Sequence, residues 1–384
     1  MNDSVPYAFK ACYRTVLEEY RTSGAFFLRE SYILTLHQKT NAFPRIIEPL
    51  LEAAKRIAED EKAAAYALFL CRAMEDRALF LKNLPLIEIP IEKHPFLSLF
   101  SMLPYIDRLH DYLLEKKLPC DVVEATVGQY EECCFLQKER SGSLGMSKRY
   151  FDHMQRYVDC KILNIGRLRF ELHTLKDACL LESKKTGKQI LFLPDGEINS
   201  VGLYADTPPI LEHDDGFTAF FKETESGYIG TPVDENGRCR RDAVTLDREE
   251  YFIRLPIGST CLSVHIPAKG ALTHEACEES YARAKVLFAS LYPDLKIQAF
   301  RCHSWMMAPE LKKILRPNSN LLDFQAPFLK YPCKTKGEDV FNFVFKTTPS
   351  DPATLPEDTS LQRALKAIYL SGDYLYEYNG IFTI

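Results

Sequence analysis

Two histidines stand where apolar runs end. His265 lies in the run Cys261-Leu262-Ser263-Val264-His265-Ile266, which Pro267 closes, and His303-Ser304 follow the run from Ile297 to Cys302. An imidazole changes charge near neutral pH, so a histidine at the end of a strand can act as a general base toward an incoming nucleophile. His265 is the first base candidate, and His303 and Ser304 would face the same crevice from the other side. A histidine hydrogen-bonded within a sheet is the competing role for each. Cys302 could serve as a nucleophile, but nothing near it in sequence marks an acidified thiol. Tyr374, Tyr376 and Tyr378 alternate and could supply a proton to a leaving group, although an aromatic edge strand accounts for the same pattern.

The elements that position these residues are legible between them. Cys277, Tyr281, Ala284, Phe288 and Leu291 alternate spacings of four and three, which predicts one helix from Thr273 to about Leu291. Thr273 is its expected N-cap, with Glu275 and Glu278-Glu279 near the positive end. Strand, helix and strand in this order make the two strands parallel. The loop Ala268-Lys269-Gly270-Ala271-Leu272 then ends at a helix N-terminus, where unpaired amides and a partial positive charge suit a pyrophosphate. Pro267 removes a ladder donor and can splay the strands, leaving a wedge for an extended ligand. Ile266, Gly270, Ala271, Leu272 and Thr273 are therefore the candidate ligand-binding residues. Trp305, the single tryptophan, could pack an extended arm there, with a place in the core as its other role. An ordinary β–α–β unit without a ligand produces the same pattern.

The rest of the chain divides near residue 145. Tyr7–Tyr20, Phe27–Lys39, Ile46–Ala58, Lys62–Lys82, Phe96–Lys117 and Asp121–Gln137 carry apolar residues at helical period, with Asp121 a candidate cap. Leu84 to Pro95 is an extended connector, and Lys138 to Met146 the breaker. Met146 to Tyr157 adds one more helix. From Lys161 the texture is that of strands. Ala178–Glu182 should pair with Gln189–Leu193, and Asn236-Gly237 predicts a two-residue type I′ turn with Ile229-Gly230 opposite Val244-Thr245. Arg238, Arg240 and Arg241 cluster beyond it, either exposed or available to phosphates. Leu321–Lys330 and Val340–Lys346 read as strands, and Ser360–Leu370 as a helix capped by Asp358 or Thr359. The expected fold class is α+β, with an all-helical N-terminal domain over 1–145 and a mixed-sheet domain over 146–384.

Composition narrows the class. Of 384 residues, 46% are hydrophobic and 26% charged, as in ordinary globular proteins. A net charge of -5 gives no general attraction to nucleic acid. No apolar stretch is long enough for a membrane span, and the N-terminus lacks the pattern of a secretory signal, so the expected compartment is the cytoplasm. The 12 cysteines are scattered without a C-x-x-C pair and read as free thiols. The densest ligand-like cluster, Glu212-His213-Asp214-Asp215, reads as a solvated loop, so no metal is expected.

Several segments, taken in order, carry a family resemblance. They are Ile165-Gly166-Arg167-Leu168-Arg169-Phe170-Glu171, Val264-His265-Ile266-Pro267, Ser304-Trp305 with Pro309, Asn318-Ser319-Asn320 with Phe324-Gln325, and Leu355 to Arg363. From about residue 164 onward the chain resembles the GNAT-type N-acyltransferases, and as a whole it is similar to bacterial acyltransferase-domain proteins with a helical N-terminal domain and a GNAT-like C-terminal domain. The resemblance implies direct transfer of an acyl group from an acyl-coenzyme A co-substrate to a small-molecule amine acceptor. It puts coenzyme A along Ile266, Gly270 to Thr273 and Trp305. The family's pyrophosphate signature is absent from the loop after Pro267, where only Gly270 stands. A non-catalytic GNAT-shaped binding module, or a protein-interaction protein acting through its helical domain, therefore remains as an alternative. The helical domain could cover the acyl or acceptor site, or form the surface of a homodimer.

Overall fold

The structure, a computed structural model, describes residues 7–208, 215–268, 270–347 and 351–384, and the side chains from residue 13 onward. Glu212, His213 and Asp214 of the acidic cluster, Lys269 of the loop and residues 348–350 lie outside the described residues. The chain forms two compact units, Met1–Ile165 and Gly166–Ile384. That division lies C-terminal to the boundary at 145/146 read from the sequence.

The first unit is built of α1 (Tyr7–Ser23), α2 (Glu30–Thr40), α3 (Ile47–Glu59), α4 (Glu61–Ala73), α5 (Arg77–Asn83), α6 (Leu97–Glu115), α7 (Cys120–Val127), α8 (Gln129–Ser141) and α9 (Lys148–Val158), followed by a short strand β1 (Ile162–Ile165). As expected, the described residues up to 145 contain helices and turns and no strand. The N-terminal half of helix α6 is apolar nearly all round, burying Leu99, Phe100, Met102 and Leu103, while its C-terminal half buries one face through Ile106, Leu109 and Leu113. Two expected long helices are each divided. Asp76 accepts from the Leu79 amide at 3.1 Å and starts α5, because a capping carboxylate favours a fresh N-terminus over continuation. The second is interrupted between Val127 and Gln129 at Gly128, the poorest helix former short of proline. Asp121 is no cap: Pro119 holds that position and Cys120 is already helical. No helix among the described residues is long and apolar enough to cross a membrane.

The second unit contains β2 (Leu168–Thr174), β3 (Cys179–Ser183), β4 (Gln189–Phe192), β5 (Asp195–Ile198), β6 (Phe217–Glu223), β7 (Gly227–Gly230), β8 (Val244–Asp247), β9 (Tyr251–Leu255), β10 (Thr260–His265), α10 (His274–Leu291), β11 (Ile297–Ser304), α11 (Asn320–Gln325), β12 (Leu329–Pro332), α12 (Ser360–Leu370) and β13 (Tyr378–Thr383). Its main sheet runs β2-β10-β11-β13-β12. Only β10 and β11 are parallel, as the crossover helix requires; β2, β13 and β12 pair antiparallel. One face is covered by α10. Tyr281 on the helix lies with its ring 6.1 Å from Phe170, 4.8 Å from Phe300 and 5.3 Å from Phe382. The other face shares a core with the smaller sheets, through Cys261, Ala299, Tyr331 and Ile381 against Leu180, Leu191 and Leu255.

The β3–β4 hairpin has the expected register, with Cys179 opposite Phe192. The β7–β8 register is also as expected, Ile229 opposite Thr245. The Asn236-Gly237 turn is different. Gly237 donates to the Asp234 carbonyl and Asp234 to the Arg238 carbonyl, with Gly237 at φ 73° and Asn236 at negative φ. This is a turn followed by a glycine bulge, not type I′. The Asp234 carboxylate accepts from the Asn236 and Arg238 amides, a bond that favours this geometry. Three expected strand segments are also corrected. Asn320–Gln325 is a helix capped by Ser319, so the strand there is only Leu329–Pro332. Phe341–Phe345 is a single wide helical turn. The terminal strand begins at Tyr378, and Tyr374 instead donates its hydroxyl to the Gly337 carbonyl. The cap of α12 is Thr359, in a reciprocal box with Gln362.

Candidate active site

The parallel ladder between β10 and β11 ends at Val264 opposite Cys302. Each strand also pairs with an outer neighbour, and that pairing continues past the end of the parallel ladder. His265 pairs with Arg169 of β2, while His303 and Ser304 pair with Asn379 and Tyr378 of β13. The C-terminal ends of the two parallel strands, called the mouth below, are where open α/β sheets take their ligands. Strand alternation sorts the side chains around it. Phe300 and the Val264 partner Phe170 face α10. His265, His303, Arg301, Arg169 and Glu171 belong to the opposite face, so the structure brings both histidines to one side of the mouth.

Each histidine has one ring nitrogen engaged. His265 Nε2 lies 3.1 Å from Glu171 Oε2, a carboxylate set diagonally across the ladder. His303 Nδ1 lies 3.1 Å from Asn379 Oδ1, directly opposite on β13. Crowding by surrounding protein pulls the His303 pKa below the ordinary histidine value, and nearby Arg301 adds to this; the Asn379 bond opposes it. The residue still keeps solvent access. Ser304 is the cap of the turn Trp305–Met307, its hydroxyl accepting from the Met306 amide at 3.1 Å. Cys302 is 1% exposed, and burial pushes its thiol up to about 12, so a thiolate nucleophile is disfavoured here. Trp305 is buried at 5% exposure.

The loop after Pro267 enters α10 as expected. Thr273 caps the helix, its hydroxyl accepting from the Ala276 amide at 3.3 Å. Gly270 has φ 89°, a region that other residues avoid. Ile266, Leu272 and Thr273 are half-buried, while Gly270 and Ala271 are exposed. Arg167, from the turn before β2, holds this loop: Nη2 donates to the Gly270 carbonyl at 2.8 Å and Nε to the Ala271 carbonyl at 3.0 Å. Arg167 Nη1 and Arg169 Nε are buried donors with no partner. The Arg167 guanidinium, bonded to the loop that enters the 18-residue helix at Thr273, fits an anionic group such as a pyrophosphate. Of the arginine cluster, two members are exposed, the first of the alternatives read from the sequence. Arg238 pairs with Glu310 at 2.6 Å and Arg241 with Asp215, while Arg240 is exposed.

Sequence reasoning gave no role to Glu171, Arg167, Arg301, Asp177, Tyr331 or Asn379. Alternation could have put Arg301 on the His303 face, since the two are separated by one residue. The others reach the site through antiparallel pairings or a loop, which no local pattern announces. Among the described residues no group of His, Cys, Asp and Glu side chains gathers in a way that could hold a metal ion.

No curated protein matches this chain. A solved acyltransferase in complex with CoA and 10C-teicoplanin is 16% identical to it, covering 99% of this chain and 98% of that one at a TM-score of 0.61. Another, in complex with decanoyl-CoA, is 14% identical, covering 98% and 99% at a TM-score of 0.58. At such identities these likenesses speak to fold. The model of the GNAT-like C-terminal domain matches residues 162–382, from β1 to the end of β13 and so across every residue of the mouth. With more than half of its length matched in this way, the chain belongs to the family of the GNAT-like C-terminal domain.

Proposed function

We propose that this protein transfers an acyl group from an acyl-coenzyme A directly to an amine acceptor, at the mouth between β10 and β11. The observation that carries the reading is the end of the parallel ladder at Val264 and Cys302, with His265 and His303 next in their strands on one face of the sheet. The nucleotide end would lie along Ile266 and Gly270 to Thr273. There the Arg167 guanidinium, bonded to the Gly270 and Ala271 carbonyls, adds positive charge for the pyrophosphate. The acyltransferases of similar fold, solved with CoA or decanoyl-CoA, support the choice of donor. In the reaction the neutral amine attacks the thioester carbonyl. A C–N bond forms, the C–S bond breaks, the amine gives its proton to a histidine, and the thiolate leaves to be protonated as free coenzyme A. His265 and His303 are the base candidates; Ser304 stays with its backbone cap and Cys302 is unused.

The loop that bears only Gly270 keeps a second reading in play, a module that binds a coenzyme A ester without chemistry. One set of measurements separates the two. Decanoyl-CoA is offered with glucosamine, ethanolamine and spermidine while free thiol is followed, and calorimetry measures CoA binding. Direct transfer expects amine-dependent thiol release by the parent protein. It expects His265→Gln or His303→Gln to lower turnover more than donor affinity, because a base acts on the acceptor in the transition state. Gly270→Asp should weaken CoA binding by adding bulk and negative charge beside phosphate. Binding without thiol release would establish the module, and no CoA binding at all would remove both readings.

A further inference from the structure

Asn379 sits in β13 at 1% exposure, opposite His303 on one side and Tyr331 on the other. Its carboxamide is tied at both ends. Oδ1 accepts from Arg301 Nη2 at 2.7 Å, and Nδ2 donates to Asp177 Oδ2 at 2.9 Å. The shape of a carboxamide would permit the flipped arrangement, but its partners forbid it. Arg301 has only donors and an ionised Asp177 only acceptors, so a flip would set amino group against guanidinium and carbonyl against carboxylate. Arg301 and Asp177 are themselves fixed, by their own 2.7 Å ion pair and by the Tyr331 hydroxyl, 3.2 Å from each. The oxygen of Asn379 therefore faces His303 Nδ1. Only an N–H answers a carbonyl oxygen, so the proton of the neutral ring belongs on Nδ1 and the lone pair on Nε2.

We infer that Asn379 is a positioning residue that holds His303 in the Nδ1–H tautomer, so that Nε2 is the atom which takes the proton of the attacking amine. The inference rests on the acyl-transfer reading of the mouth. As the amine nitrogen bonds to the thioester carbon and the C–S bond breaks, its proton moves to His303 Nε2 and the imidazolium is held through Nδ1–H by Asn379. The thiolate takes a proton from solvent, and His303 returns its own to solvent. His265 differs in kind. Its Nε2 is the nitrogen engaged with Glu171, so the same atom is not available there. The lowered His303 pKa agrees with a ring that is neutral and ready at working pH.

Nitrogen NMR of protein labelled with ring-¹⁵N histidine tests the tautomer without any substrate. The His303 signals are those lost in His303→Gln. The expected spectrum above the His303 pKa has Nδ1 in the protonated range and Nε2 in the unprotonated range. Asn379→Leu, alike in branching though larger and with no acceptor, should shift both toward intermediate values. It should also lower thiol release from decanoyl-CoA, in the presence of whichever of the three amines the parent accepts, by roughly tenfold to a hundredfold, a part of what a positioned base supplies. A parent spectrum with the proton on Nε2 overturns the inference directly, whatever the activity and whether or not Asn379→Leu folds. If the tautomer is as expected but His303→Gln turns over as fast as the parent, His303 is not the base, and the inference fails through the reading beneath it.

Discussion

The ion pair behind Asn379 makes an uneven demand on its two partners, and that unevenness can be measured. The Arg301 side chain is 11% exposed and that of Asp177 31%. Asp177→Ala leaves a guanidinium shut in the protein with no counter-charge and takes an acceptor from Asn379 and from Tyr331. Stranding a buried charge costs about 3–5 kcal/mol; since water reaches part of the Asp177 position, about 2–4 kcal/mol is expected here. Arg301→Met leaves a carboxylate that is already near water and can rehydrate, at about 1–2 kcal/mol. In the double variant no charge is stranded, so it should be more stable than Asp177→Ala alone, with non-additivity of at least about 1 kcal/mol.

Trp305 makes the assay local. It is the only tryptophan in the chain, lies in the second unit and is buried at 5% exposure. Its fluorescence during urea unfolding therefore follows the unit that contains the network, and an unchanged slope allows midpoints to be converted to free energies. Arg301→Met costing as much as Asp177→Ala, or single effects that simply add, would refute the claim that a stranded guanidinium governs the energetics.

Gly237→Val should destabilise the second unit by about 1–3 kcal/mol, since φ 73° penalises a β-branched residue and a Cβ there would stand 3.1 Å from the Tyr378 ring; an unmoved melting temperature counts against the bulge. For pH dependence, the base must be neutral and His303 is depressed below the ordinary value near ~6.5. Thus, once the profile is corrected for protonation of the acceptor amine, the limb of kcat/KM that belongs to His303 should lie below that pH, at the lower, folded pKa. Stability has the same sign: the unfolded chain takes the proton first, so the contribution of His303 is complete above ~6.5 and is lost as pH falls between the unfolded and folded values. An acid limb above 6.5 that is absent in His303→Gln would contradict the depressed pKa.

What could be read from the sequence follows from how far each signal reaches along the chain. The helix after Thr273 announced itself because its cap and its buried face, Cys277, Tyr281, Ala284 and Phe288, lie within five turns of one another. The parallel pairing of β10 with β11 followed from that helix. The β3–β4 hairpin and the register of Ile229 against Thr245 were likewise local. The failures have local causes of another kind. Asn236-Gly237 obeys the turn rule only until Asp234 offers its carboxylate to two amides. Asn320–Gln325 is apolar enough for a strand, yet Ser319 gives it a helix start. Tyr374 and Tyr376 alternate with Tyr378, but the strand has not begun.

The candidate site was legible in part, and the division is physical. His265 and His303 could be found because each ends an apolar run, and a strand end is visible in one dimension. What tells the two apart is not visible there. One ring meets Glu171 across β2, and the other meets Asn379 across β13. Those partners are 94 and 76 residues away in the chain and become neighbours only through antiparallel registers that no local periodicity specifies. The same step explains why Arg301 and Asp177, 124 residues apart, went unassigned. A charged residue inside an apolar strand is costly unless paired. Arg301 within Ile297 to Cys302 was therefore the one local sign that a partner had to exist, though not which one. The chemistry of a histidine can be proposed from its place on a strand, but which ring nitrogen is engaged is fixed by residues that only the folded sheet brings alongside.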